Sequence, residues 1–495
     1  MTRALRHCLV PLLLWALCLT AIAEVSPLAR GIHDYVLPNG LRLVVAVRPE
    51  LQLAAVNLTV NLGSIDDPPG QSGMAHLLEH VTLSGSTTVG SLNPQAEAAA
   101  LAELDRAYAA MEAERRNPES EPGALVGLER WFEQSLDAAK RTAESGEILG
   151  GRLEARGGVG LNATTTADAT QFFGSLPASE IEFWLSLEAE RLRHPILRRF
   201  YSERNVVLRE VATLTGGRPT MQERLLQEIF PGAPVAQSVP GDPDQIRGID
   251  RPTAFAYFHR HYRPENMAIA VVGNVDPEQV HRLCLHYLGD WQPEGPGDPP
   301  RSRQEPAPGR GVPVVRKFNS IRSPVVFLAL PQLPTDNDKA VALDAVAEII
   351  NSEDLSPLKR RLVDEQGIAW NVGASANYPS QKQTAIFLVH VYGNSGIAHE
   401  TLTQESCALL RSLNSAPEAD VRGVILAAGM RSAAQLDDPP TLASTLAFYE
   451  AVQGDWSVPF QRLEQLRRLK PEDVRAMARQ LFDGLTPMSA SIVGK

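Results

Sequence analysis

Seven prolines fall between Gln292 and Pro313, at positions 293, 296, 299, 300, 306, 308 and 313, set among glycines, arginines and glutamates. A proline fixes φ and lacks the N–H that a helix or ladder needs, so this stretch reads as an extended connector between two folded parts. The chain has 495 residues, of which 44% are hydrophobic, enough to bury more than one core. The predicted organisation is a first half over residues 24–291, a linker over 292–313 and a second half over 314–495.

A formal charge of −11 has the wrong sign for a surface that meets phosphates, so no nucleic-acid partner is expected. No apolar run reaches the ~18–20 residues of a membrane span. The first 23 residues read instead as a secretory leader. Arg3 and Arg6 precede an apolar run from Cys8 to Leu19, and Ala21-Ile22-Ala23 forms a small-x-small cleavage site. The expected location is therefore the periplasm. Cys8 and Cys18 lie in the leader. Cys284 and Cys407 remain, with leucine neighbours that mark them as small buried hydrophobes.

Hydrophobic periodicity predicts an α+β fold in both halves. Residues 34–47 read as a hairpin turning at Asn39-Gly40, 53–62 as a buried strand, and 74–84 as a helix after a Pro/Gly loop. Residues 92–150 are different. Leu101, Leu104, Tyr108 and Met111 form one apolar stripe, and Leu125, Leu128, Phe132, Leu136 and Ala139 form another. That pattern predicts a helical hairpin inserted in the first half and projecting from it. A single strand-like stretch is expected over 157–173, helices over 178–193, 201–214 and 220–229, and a strand over 267–272. The second half restarts the order with a strand at 325–330, helices at 338–350 and 356–365, and strands at 368–376 and 384–392. Helices at 397–413, 417–434, 440–452 and 471–482 and a strand at 487–493 complete it.

His76-Leu77-Leu78-Glu79-His80 carries chemistry. Residues four apart share a helix face, so both imidazoles can reach one Zn²⁺, while Glu79 stands beside them able to hold and deprotonate a water. With 11 histidines in the chain, chance would produce the pattern in on the order of 0.03 chains of this composition. A catalytic zinc takes a third protein ligand. Glu203 and Glu210 are well placed, since seven residues is close to two turns. Glu180, Glu182, Glu188 and Glu190 on the preceding helix compete. His259-Arg260-His261 does not qualify, because residues i and i+2 do not share a helix face.

Gly73-Met74-Ala75-His76-Leu77-Leu78-Glu79-His80 resembles the inverted zinc motif of the pitrilysin/insulinase metallopeptidases. Three further stretches agree. Gly158 to Thr165, with Asp168, is similar to the family's Gly-x-x-Asn-Ala-x-Thr segment. Glu203 to Glu210 is similar to its Glu-x6-Glu helix. Tyr262 to Met267, followed by Val271 to Val275, is similar to its strand at the domain end. The resemblance implies two similar α/β-sandwich domains. It implies that His76, His80 and Glu210 hold one Zn²⁺ per chain, with Glu79 as general base and Glu203 as a carboxylate behind the ligands. Asn162 would help position the substrate backbone. Where family members often carry an Arg and, seven residues later, a Tyr for the substrate carbonyl, this chain has Val363 and Trp370. Trp370 still offers an indole N–H.

The implied function is a secreted zinc endopeptidase acting on peptides or unfolded protein segments. It would work as a homodimer, or as a heterodimer with a related chain lacking the zinc motif. The alternatives are a non-catalytic assembly subunit and a metal-dependent hydrolase of a small substrate.

Overall fold

A computed structural model describes residues 27–121, 123–144, 148–215, 219–293, 295–297, 314–319, 323–331, 337–382, 386–485 and 490–493. The expected leader and most of the expected linker lie outside these residues. In the first half, β1 (Ile32–Val36), β2 (Arg42–Val47), β3 (Leu53–Val60), β4 (Val159–Thr165), β5 (Thr170–Pro177) and β6 (Met267–Gly273) form one sheet, in the order β1-β2-β6-β3-β5-β4. The β2–β6 pair is parallel and the others are antiparallel. The expected stretch over 157–173 is thus two strands. Their turn closes through Thr166, whose Oγ1 accepts the amides of Asp168 and Ala169. Such a side-chain-closed turn leaves no trace in hydrophobic periodicity.

The helices of this half are α1 (Met74–Thr82), α2 (Pro94–Arg115), α3 (Ala124–Lys140), α4 (Ile148–Glu154) and α5 (Ile181–Arg193). They continue with α6 (Phe200–Thr215), α7 (Met221–Ile229), α8 (Pro243–Gly248), α9 (Arg251–His261) and α10 (Pro277–Leu288). In the second half, β7 (Val314–Asn319), β8 (Pro324–Pro331), β9 (Ala369–Tyr378), β10 (Ile386–Gly393) and β11 (Ala490–Val493) form a sheet in the order β11-β7-β8-β10-β9. Its helices are α11 (Asn337–Asn351), α12 (His399–Ser412), α13 (Glu418–Asp437), α14 (Pro439–Gln453), α15 (Val458–Arg468) and α16 (Pro471–Phe482). The expected helix over 356–365 is a π-helical segment, Lys359–Glu365. The closing strands differ: β6 inserts between β2 and β3, whereas β11 pairs on the outside of β7.

Each sheet is covered on its second face by a helix of the other half. Val44, Ala46, Ala55, Ala270 and Val272 pack against Leu442, Ala443, Leu446 and Ala447 of α14. Reciprocally, Val325, Phe327, Ala329, Ile386 and Leu388 pack against Leu225 and Leu226 of α7 and the following Phe230 and Val235. Burying one of the Val, Leu, Ile or Phe side chains among them stabilises by roughly 1.5–3 kcal/mol, so the exchange welds the halves together. It also explains why β3 is buried along both faces from Ala54 to Val60.

The inserted hairpin forms, as α2 packed against α3, but it does not project. Leu101, Leu104, Tyr108 and Met111 enter the core of the first half. Tyr108 and Phe132 surround Tyr201 of α6, with ring centroids 4.7 and 5.3 Å away. Glu97 and Arg198 make a buried ion pair at 2.6 Å. A stripe count over each arm alone could not show that a third helix shares the seam. Cys284 and Cys407 are free and buried in separate cores. Among the described residues no helix is long and apolar enough to cross a membrane.

Candidate metal centre

Helix α1 begins where two glycines meet. Gly73 has φ +96°, and a Cβ there would lie 2.8 Å from the Ile246 side chain and 3.0 Å from the Gly241 Cα. Only glycine allows that approach. No side chain caps the helix from the N-cap position. Asp67 does so from a distance, accepting the amides of Gly73 at 2.7 Å and Ala75 at 2.9 Å. Burial pushes the Asp67 carboxyl up to about 8, against the downward pull of those amides. Helix α6 is fixed opposite by Arg204, which donates to the carbonyls of Arg247 and Ile249 and to the Tyr108 hydroxyl.

Between α1 and α6 the expected side chains converge. The Glu210 Oε2 lies 3.6 Å from His76 Nε2 and 3.4 Å from His80 Nε2. One ligand atom from each of the three residues falls within 4.8 Å of the others. Two imidazoles and one carboxylate are a donor set that a catalytic zinc takes, so these residues fit the ion. The His76 Nδ1 lies 3.1 Å from the Pro240 carbonyl. A carbonyl only accepts, so Nδ1 carries the proton and Nε2 is left for a metal. His80 Nδ1 faces the Glu203 Oε2 at 3.7 Å. Burial disfavours the His80 imidazolium, but Glu203 and the charges of Glu210 and Glu79 outweigh it and raise the pKa. Glu203 is itself held by Arg199 at 3.1 Å. Glu79 is 8% exposed, and Thr165 donates to its Oε2 at 2.5 Å.

His76, Glu79, His80, Glu203 and Glu210 line a cleft of about 470 Å³ together with Leu83, Ser84, Asn162, Ala163 and Arg199. Asn162 and Ala163 belong to β4, which among the described residues pairs with β5 only and so presents its other edge. A second cavity of about 230 Å³ shares Arg199 with the cleft and is walled by Leu136, Ala139 and Lys140 of α3.

The competing glutamates of α5 and of the turn before it are committed elsewhere. Glu180 pairs with Arg156, Glu182 accepts from Tyr287, Glu188 pairs with Arg191, and Glu190 accepts from Ser86 and Thr88. Trp370 is not brought to the cleft lining. It sits on β9, 56% exposed and tilted against Tyr392 with centroids 5.0 Å apart. Val363 packs against the second core. Thr165, Arg199 and the Pro240 carbonyl were not foreseen as site groups. Thr165 stands in the segment that resembles the family, but nothing in its spacing tells that it faces Glu79. A backbone carbonyl leaves no signature in sequence.

Two family profiles match the sequence. One, described as Insulinase (Peptidase family M16), covers residues 42–113 and so contains the paired histidines. The other, described as Peptidase M16 inactive domain, covers residues 248–423. The chain belongs to the pitrilysin/insulinase family. Within this family, the zinc protease PqqE of Helicobacter pylori is 22% identical over 91% of this chain and 90% of its own. A crystal structure of a protease from Helicobacter pylori superposes with a TM-score of 0.72 at 20% identity, covering 93% of this chain and 98% of that one. The peptidase M16 inactive domain from Pseudomonas fluorescens superposes at 0.69 with 14% identity, covering 94% and 97%. These likenesses establish a peptidase-like protein with the two-domain pitrilysin/insulinase fold.

Proposed function

We propose that this chain is a zinc-dependent endopeptidase. It is exported to the periplasm by a leader over residues 1–23, and it hydrolyses peptides or unfolded protein segments. The catalytic domain is residues 24–291 with its 92–150 insertion, and residues 314–495 form a non-catalytic partner domain across the 292–313 linker. The observation that carries this reading is the convergence of His76, His80 and Glu210 beside Glu79.

One zinc held by His76, His80 and Glu210 would supply a Lewis acid that acidifies water and polarises a peptide carbonyl. Glu79 takes the proton of the attacking water and returns it to the leaving amine. Thr165 occupies one carboxylate oxygen of Glu79, which leaves the other for that proton. Glu203 fixes the ring orientation of His80. The free edge of β4, with Asn162 on it, supports an extended peptide that adds as a strand. A second copy, or a related chain without the zinc motif, closes the cleft from outside.

One feature favours a second reading, a non-catalytic assembly subunit. The inactive-domain profile covers 248–423, and the second half offers Val363 and Trp370 where family members often have Arg and Tyr. Zinc determination and a quenched-peptide panel separate the two readings, using wild type and Glu79→Gln, alone and with candidate partner chains. Zinc in both proteins with cleavage by wild type only is the expected result. A wild type without zinc, or inert with every partner, favours the assembly subunit.

A further inference from the structure

The second half grips the loops behind the cleft through Ser380, Gln381 and Lys382, which follow β9. Asp168, 5% exposed, accepts the Ser380 hydroxyl at 2.5 Å and the amides of Gln381 and Lys382 at 2.6 and 3.2 Å. The Lys382 Nζ donates to Asp66 at 3.1 Å, with both side chains mostly buried. Hydrogen bonds to a carboxylate are short, directional and about twice as strong as neutral ones.

Both acids stand one step from the general base. Asp168 lies in the Thr166–Ala169 turn, and Thr165, just before that turn, donates to Glu79. Asp66 precedes Asp67, which holds the first amides of α1, the helix of Glu79 itself. The two loops interlock. The amides of Ser64 and Ile65 donate to the carbonyls of Thr166 and Ala167, and a Cβ on Gly63 would fall 2.3 Å from the Ala167 oxygen. A displacement at Ser380–Lys382 therefore reaches Thr165 through bonded neighbours, with no slack between the loops.

We propose that Ser380, Lys382 and Asp168 are positioning residues for Glu79: the second half sets the orientation of the base through the β4–β5 turn and the Asp66 loop interlocked with it, without touching substrate. This rests on the assignment of Glu79 as base. It gives the second half a part in catalysis that does not need Val363 or Trp370.

The test uses the full chain with Ser380→Ala, Ser380→Thr, Lys382→Met and Asp168→Asn. Misplacing a reacting group by about 1 Å costs on the order of 10² in rate. Ser380→Ala and Lys382→Met should each lower kcat by about tenfold and Asp168→Asn by about a hundredfold, with KM and zinc content at wild-type values. Ser380→Thr, which keeps the hydroxyl, should restore most of kcat. In the zinc-free protein, amide exchange at Thr166 and Ala169 should accelerate in Ser380→Ala and not in Ser380→Thr. An unchanged kcat, or kcat, KM and zinc content falling together, overturns the proposal. If Asp168→Asn does not fold, the Ser380 pair decides. If Glu79→Gln keeps full turnover, the base assignment fails by itself. If wild type is inert, unchanged exchange at Thr166 in Ser380→Ala overturns the link.

Discussion

Helices α1 and α11 occupy comparable points in their halves: α1 is the first α-helix after β3 and α11 the first after β8. The α1 helix turns His76, Glu79 and His80 toward α6. The α11 helix buries Leu343, Val346 and Ile350 in its own core. Both helices therefore answer the same packing demand, and only α1 carries members of the converging His76, His80 and Glu210 set. The layout comes from covering a sheet, whereas the chemistry comes from a few side chains grafted on one copy. A second contrast runs the other way. Neither half covers its sheet alone, because α14 completes the first and α7 completes the second.

The most drastic way to erase the first contrast is to remove the chemistry of α1. Glu79→Gln should keep zinc, measured by metal analysis, and lower peptide turnover by about 10²–10⁴. His76→Ala, His80→Ala and Glu210→Ala should each lose zinc, while Glu190→Ala, bonded to Ser86 and Thr88, should keep it.

Next in size is the inserted hairpin, which has no counterpart among the described residues of the second half. Glu97→Ala leaves Arg198 charged and buried, a loss of about 3–5 kcal/mol in denaturant unfolding. Replacing residues 95–148 with a short linker should unfold the first half, because Tyr201, Arg198 and Arg204 lose their partners. A zinc-binding, folded product would show that the hairpin is dispensable after all. Leu446→Ala, at the exchanged helix, should cost about 2–5 kcal/mol and lower the unfolding transition of both halves together. Separate transitions would mean that the exchange does not couple them.

A pH series probes the anchor of α1. Burial raises the Asp67 pKa from 3.8 to about 8. Between those values the folded chain holds a proton that the unfolded chain has released. Stability is therefore full below the lower value and falls as pH rises toward about 8. Asp67→Asn should flatten that slope. The smallest effect is expected in the second half. Trp370→Ala should leave turnover within about twofold, because Trp370 lies outside the cleft lining. A loss beyond tenfold would return Trp370 to the site.

Much of this was legible along the chain. The Asn39-Gly40 turn, the motif helix and both stripes of the hairpin follow from local spacing, and the structure has elements there. Spacing leaves the third candidate ligand open between two helices; the structure brings Glu210 to the histidines and engages Glu180, Glu182, Glu188 and Glu190 elsewhere. The sequence predicts a projecting hairpin because one seam per arm is what it displays, whereas in the structure three helices share the packing around Tyr108, Phe132 and Tyr201.

Helical spacing alone determined that His76, Glu79 and His80 stand on one face, since 3.6 residues per turn leave no other arrangement. Composition alone determined that the chain could bury two cores. Tertiary structure decided the rest: which glutamate meets the histidines, that Thr165 donates to Glu79, that Asp67 anchors α1, and that each sheet borrows a helix from the other half. Thr165 meets Glu79 across 86 positions and the exchanged helices pack across the linker, while Asp67 meets Gly73 and Ala75 only 6 and 8 positions away, through a loop whose path no periodicity displays. Periodicity reports the face that an element buries. It does not report what that face is buried against, and the choice of partner is made only when the whole core packs.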